Sequence, residues 1–156
     1  MVRNPWKWHV SWYNYIRKDK GGKHSGMPSE HALFQDFSFL DYLRWLETAF
    51  DKTRANQYYL GQVSDWVVDE TGAIAISDIL RQETLAQDLR HLQEKYDLRL
   101  SIPKSSKNQS FSGDYRSQYC DEGVEIVARR HPRDISLFGY EFENPNVDSS
   151  VSVSSS

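Results

Sequence analysis

Val2-Arg3-Asn4-Pro5-Trp6-Lys7-Trp8-His9-Val10-Ser11-Trp12-Tyr13 reads as a helix and its entry. Asn4 has the side chain to cap free backbone N–H groups, and Pro5, with no N–H to lose, suits the first helical position. A helix is expected from about Pro5 to Arg17. Trp6, Val10 and Tyr13 mark one apolar stripe and Trp8, Trp12, Tyr15 and Ile16 widen it, so this helix packs on several sides. Arg3 stands just before the helix N-terminus, where unpaired N–H groups and the helix dipole favour an anion, and a guanidinium grips phosphate oxygens two at a time. Ser11 lies seven residues beyond Asn4. At about 3.6 residues per turn its hydroxyl returns to nearly the same face, so Arg3 folded along that face can share one phosphate with Ser11. The plainer reading of the same residues is a capped surface helix after an ordinary arginine.

Outward from this stretch, residues 19 to 37, with Gly21, Gly22, Gly26 and Pro28, are expected to form a long loop. Ser38 followed by Asp41, then Phe39, Leu40, Leu43, Leu46 and Phe50 at helical spacing, predicts a second helix. The β-favouring runs Tyr58-Tyr59-Leu60, Trp66-Val67-Val68 and Ala73-Ile74-Ala75-Ile76 flank Asp69-Glu70-Thr71-Gly72, the pattern of short strands about a hairpin-type turn. Thr84 and Gln87 read as a capping box before a third helix reaching about Tyr96. Residues 99 to 113 are polar, basic and serine-rich, hence a loop. A fourth helix is expected from Tyr115 or Tyr119 to Arg130, ended by Pro132, and a short turn from Asp134 to Gly139 follows. Residues 144 to 156 read as a disordered serine-rich tail after a domain of residues 1 to 143.

The chain has 156 residues, the size of one domain, and a formal charge of −3 from 19 basic and 22 acidic side chains. That balance argues neither for a nucleic-acid protein nor for an acidic tail binder. Arg3 to Lys23 nevertheless holds six Lys or Arg against one acid, Asp19, so the first segment is locally cationic and suits an anionic partner. Five Trp, nine Tyr and seven Phe give a short chain large pieces of core surface. The only cysteine, Cys120, has no partner for an internal disulfide, and no paired Cys/His spacing implies a metal. No apolar run is long enough to cross a membrane.

Arg3-Asn4-Pro5, followed after four residues by Val10-Ser11-Trp12-Tyr13, resembles the 3′-phosphate-binding motif of sulfotransferases that use 3′-phosphoadenosine 5′-phosphosulfate (PAPS), above all the carbohydrate and heparan sulfotransferase group. The resemblance extends to about Phe142. Asp78-Ile79-Leu80-Arg81-Gln82-Glu83-Thr84-Leu85 is similar to the strand-to-helix stretch often written Arg-Phe-Glu-Asn-Leu. Lys107-Asn108-Gln109-Ser110, then Tyr115 and Tyr119, and finally Phe138-Gly139-Tyr140-Glu141-Phe142, resemble the polar loop, the tyrosine-rich helix start and the closing Phe-Gly-Tyr motif.

The resemblance implies an α/β class, a P-loop-type three-layer fold of which this chain is a largely helical carboxy-terminal part with a few short strands. It implies transfer of a sulfuryl group from PAPS to a hydroxyl, on a carbohydrate by likeness to that group, with adenosine 3′,5′-bisphosphate as the other nucleotide partner. Arg3 and Ser11 would hold the 3′-phosphate; Ser110 would add a contact, and Tyr115 would either stack on adenine or pack in the core. The loop from Asp19 to Phe37 would shape the acceptor side. The family's 5′-phosphosulfate loop has no counterpart here, because the sequence contains no Gly-Lys-Ser/Thr or Pro-Lys-x-Gly-Thr segment. The family's base, a Glu or His ahead of the 3′-phosphate motif, has no counterpart either, so the catalytic residue is unassigned. His9, flanked by Trp8 and Val10, reads as a packing or surface residue and not as a base.

Two alternatives stand beside this one. The cationic, Trp-rich first helix suits a nonenzymatic module for nucleic acid or an anionic membrane surface, and a degenerate sulfotransferase fragment would fold only against a partner. The compartment is open: cytoplasmic as the sequence stands, or the Golgi lumen where a longer parent carries an upstream anchor.

Overall fold

The computed structural model describes residues 1–18, 28–49, 61–99 and 113–142. Tyr58-Tyr59-Leu60, the polar loop with Ser110, residues 19 to 27 of the loop from Asp19, and the tail from residue 144 lie outside the described residues. Six α-helices occur among those described: α1 Pro5–Lys18, α2 Pro28–Asp36, α3 Phe39–Ala49, α4 Leu85–Tyr96, α5 Asp121–Arg130 and α6 Pro132–Phe138. Short 3₁₀ turns cover Val63–Trp66 and Tyr115–Gln118.

Helix α1 starts where its sequence places it. Asn4 Oδ1 accepts from the amides of Trp6 at 3.0 Å and Lys7 at 3.3 Å, and Pro5 needs no acceptor. Trp6, His9, Val10, Tyr13 and Ile16 are buried, while Trp8, Trp12 and Tyr15 stack in sequence along another side, with centroids 5.8 and 5.7 Å apart. Helix α3 begins with a reciprocal cap: Ser38 N donates to Asp41 Oδ2 and Asp41 N donates to Ser38 Oγ, both at 3.1 Å. Its Tyr42, Leu43 and Leu46 are fully enclosed, and burial of each leucine contributes roughly 1.5–3 kcal/mol.

The main core lies where α1, α3 and α5 meet. Tyr13 packs on Phe39 and Tyr42 with centroids 5.4 Å apart in both pairs, and Phe34 of α2 packs edge-on against Tyr42 and Trp45. Ile126 and Val127 close the cluster from α5. Gly123 lets α5 approach α3 closely, since a Cβ there would come within 3.0 Å of Leu43 Cδ1.

Several boundaries differ from those the sequence suggests. The expected loop of residues 19 to 37 contains α2, which begins at Pro28 and is held by Phe34 in the core. Helix α4 lies where expected, but the Thr84 side chain makes no cap hydrogen bond, so the capping box does not form. The fourth expected helix is two pieces, the 3₁₀ turn at Tyr115–Gln118 and α5, because Tyr119 and Cys120 are extended. Pro132 opens α6 as well as ending α5, and Gly139 stops α6 in the left-handed conformation at φ 63°.

The β pairing among the described residues consists of two bridges. Val68 pairs antiparallel with Ile74 about Asp69–Gly72, the hairpin-type turn the sequence suggests, while Trp66 falls in a 3₁₀ turn. Val2 pairs in parallel with Arg81: Val2 N donates to Leu80 O at 2.8 Å and Gln82 N donates to Val2 O at 2.9 Å. Two extended segments therefore run side by side, one leading into α1 and the other into α4.

Candidate functional site

The parallel bridge brings the segments after Val2 and after Arg81 to the same end of the pairing. There the Asn4 amide donates to Glu83 Oε1 at 2.8 Å, and the Arg81 guanidinium donates to Phe138 O at 2.8 Å while lying over the Tyr140 ring. A cavity of about 360 Å³ opens at this end. One wall is Val2, Arg3, Pro5, Trp8 and Gln82; the other is Gly61, Val63, Trp66, His131 and Asp134. Its volume falls within the range of small-molecule sites.

Arg3 is the cavity's cation. Burial lowers its pKa and the nearby Glu83 carboxylate pulls the other way, yet a guanidinium stays charged at neutral pH. The helix end contributes less than its sequence suggests. Trp6 N and Lys7 N are taken by Asn4 Oδ1, Trp8 N by Asn4 O, Pro5 has no N–H, and Asn4 N is bound to Glu83. Anion recognition here rests on the Arg3 side chain, with Glu83 as a neighbouring negative charge.

The other wall holds a polar cluster that crosses the core. His9 is fully buried, His131 is 4% exposed and Asp134 is 3% exposed. His9 Nδ1 lies 2.9 Å from Tyr42 Oη, His9 Nε2 lies 2.9 Å from His131 Nε2, and His131 Nδ1 lies 3.5 Å from Asp134 Oδ2. The last is a long contact beside the first two. Asp134 also accepts the amides of Val63 at 2.9 Å and Ser64 at 2.7 Å, which fixes the 3₁₀ turn against α6. Burial by itself would raise the Asp134 pKa, but the hydrogen bonds from His131, Ser64 and Val63 outweigh it and hold the carboxyl below its ordinary value. Burial first, then the charges of His131 and Arg130, push His9 well below the ordinary imidazole value. Burial pushes the Tyr42 phenol up despite the Arg130 charge.

The contacts and the Asp134, His9 and Tyr42 directions are consistent with one arrangement of protons. Anionic Asp134 faces the Nδ1–H of His131, so a neutral His131 presents Nε2 as an acceptor. His9 then donates from Nε2–H and accepts at Nδ1 from the Tyr42 hydroxyl. One direction of donation runs from Tyr42 through His9 to His131, and the His131 Nδ1–H, without a hydrogen-bond acceptor, faces the Asp134 carboxylate at 3.5 Å.

The residues singled out in the sequence do not gather in one place. Arg3 lines the cavity. Ser11 is partly exposed on α1 and is not among the cavity's lining residues. Tyr115 is 8% exposed, with Tyr119 and Phe142 packed edge-on against it and the Lys7 ammonium 5.3 Å from its ring centroid. Ser110 lies outside the described residues. His9 is a packing residue, as its flanks suggest, and it is hydrogen-bonded at both nitrogens. The sequence reading missed His131 and Asp134. Their signal is weak: an imidazole and a carboxylate three positions apart around Pro132, where a helix starts.

Among the described residues no group of three or more His, Cys, Asp or Glu is placed to hold a metal ion, and no helix is long and apolar enough to cross a membrane. Compared with protein-family models, curated proteins and solved structures, the chain has no significant match.

Proposed function

We propose that this chain carries the 3′-phosphate half of a PAPS site, within an α/β sulfotransferase that moves a sulfuryl group to a hydroxyl, on a carbohydrate by family likeness. The observation that carries the reading is the parallel pairing of Val2 with Arg81, which sets Arg3 beside a cavity at the outgoing ends of two extended segments. Open parallel α/β architectures bind ligands at that end of their strands. Arg3 supplies the fixed positive charge, and its planar fork matches two phosphate oxygens.

In the reaction, the bond between sulfur and the bridging oxygen of the 5′-phosphosulfate breaks, a bond to the acceptor oxygen forms, and the hydroxyl proton passes to a base. Adenosine 3′,5′-bisphosphate leaves. The present residues serve the cofactor's anchoring end in this scheme. The groups that stabilise the leaving phosphate and take the proton are unassigned, and none of the buried histidines is given that role, since both nitrogens of His9 and Nε2 of His131 are engaged inside the protein.

Adenosine 3′,5′-bisphosphate is expected to raise the melting temperature of the chain, and adenosine 5′-diphosphate at equal concentration is expected to raise it much less. At 100 times the dissociation constant a ligand stabilises by about 2.7 kcal/mol. A thermal-shift titration reads this directly. Equal effects of the two nucleotides, fading together with salt, would instead favour the nonselective cationic-helix alternative.

A further inference from the structure

The Tyr42–His9–His131–Asp134 chain does more than fill the core, because it joins the two walls of the Arg3 cavity. His9 belongs to α1, whose first residues with Arg3 form one wall. His131 and Asp134 belong to the other wall, and Asp134 carries the 3₁₀ turn with Val63 and Trp66. The polar link between them is a hydrogen bond from one imidazole to another, at 2.9 Å, beside an edge-on contact of Trp8 with His131 at 6.4 Å between ring centroids.

Such a bond depends on its proton count. With both rings neutral, His9 donates and His131 accepts. One added proton leaves the bond in place: it sits on His9 Nδ1, whose N–H then meets the Tyr42 oxygen, or on His131, with the bond turned round so that His131 donates. With two added protons both Nε2 atoms carry hydrogen, the two donors face each other, and the link is lost. The surroundings disfavour this charge. His9 is faced by Tyr42 from α3, by Arg130 from the end of α5 and by the edge of Trp8, and only Asp134 of α6 offers His131 a negative charge.

We propose that the His9–His131 pair is an acid-sensitive latch that holds the α6 wall of the Arg3 cavity against α1 while the pair is neutral and releases it when both rings are protonated. Trp6 Nε1 donates to Val124 O and Tyr119 Oη donates to Trp6 O, so α5 stays on α1. Arg81 grips Phe138 O at the far end of α6. The part freed is the start of α6 with the 3₁₀ turn that Asp134 holds.

His9 is held below its ordinary value in the folded chain. The unfolded chain therefore takes up the proton first as pH falls. Stability is full above the unfolded histidine value of about 6.5 and is lost from there down toward the lowered folded value, by up to about tenfold in the folding equilibrium per pH unit for each such group. The nucleotide site deepens this inference only in its last consequence, that ligand is released on acidification; the latch itself stands without the nucleotide.

The test is histidine nitrogen NMR on the ligand-free native chain from pH 8 downward until both rings have charged, with hydrogen exchange at the Val63 and Ser64 amides. At pH 8 the Nε2–H tautomer of His9 and the Nδ1–H tautomer of His131 are expected, and protection of the two amides, corrected for intrinsic exchange, should fall at least tenfold as both rings charge. The same loss should move to lower pH in His9→Gln, or in His131→Gln should the first variant not fold. The opposite tautomers at pH 8, or amide protection unchanged after both rings have charged, would overturn the latch. Adenosine 3′,5′-bisphosphate added to the same samples separates the two claims: failure to bind at any pH counts against the nucleotide reading and leaves the latch result as measured.

Discussion

Asp134→Ala is expected to destabilise the folded chain by about 3–5 kcal/mol, the range for breaking a buried charged hydrogen-bond group. The carboxylate is 3% exposed, accepts from Val63 N and Ser64 N, and stands 3.5 Å from His131 Nδ1. Its removal leaves two buried backbone donors without an acceptor and takes away the anion that orients the imidazole. Asp134→Asn should recover part of the loss, because one oxygen remains, while its NH₂ group then faces a backbone donor. For a chain of this size the alanine variant should melt on the order of 10 °C lower. Circular dichroism melts of the three proteins check it, and an alanine variant within a degree or two of the native chain would remove Asp134 from the framework.

Tyr42 is the second large effect. Its ring is fully buried between Tyr13, Phe34 and Phe39, and its hydroxyl donates to His9. Tyr42→Ala is expected to cost about 3–5 kcal/mol, the range for emptying an aromatic site in a core. Tyr42→Phe keeps the packing and leaves His9 Nδ1 a buried acceptor without its donor, at about 1–3 kcal/mol. Urea unfolding of both variants divides the ring's contribution from that of the hydroxyl. Equal losses would mean that the hydroxyl dominates and the aromatic packing counts for little.

Much of this architecture is legible in the sequence where the signal is local. Asn4-Pro5 starts α1 and Ser38-x-x-Asp41 starts α3, since in both cases the capping group lies within three residues of the amides it serves. Helix α2 hides behind a glycine-rich approach, and its one deeply buried aromatic, Phe34, gives no period to read. The split at Tyr119 and Cys120 also escapes a spacing argument, because Tyr119 is held by a distant partner: its hydroxyl donates to Trp6 O across 113 positions. The buried polar chain is the extreme case. His9 meets Tyr42 across 33 positions and His131 across 122, and only the fold brings them together.

For the candidate site, the sequence picks out Arg3 through its motif but credits the helix end with free donors that Asn4 and Glu83 have already taken. Ser11 follows from counting turns of a helix. Whether it shares a ligand with Arg3 depends on how that ligand lies across α1, which residue spacing alone does not fix.

The most direct measurement is phosphorus NMR of adenosine 3′,5′-bisphosphate titrated with the native chain and with Arg3→Ala. A shift of the 3′-phosphate signal well beyond that of the 5′-phosphate, lost in Arg3→Ala while the variant stays folded, is the expected result. Equal shifts of both phosphates, or a 3′ shift that survives the substitution, would contradict a 3′-phosphate site at Arg3.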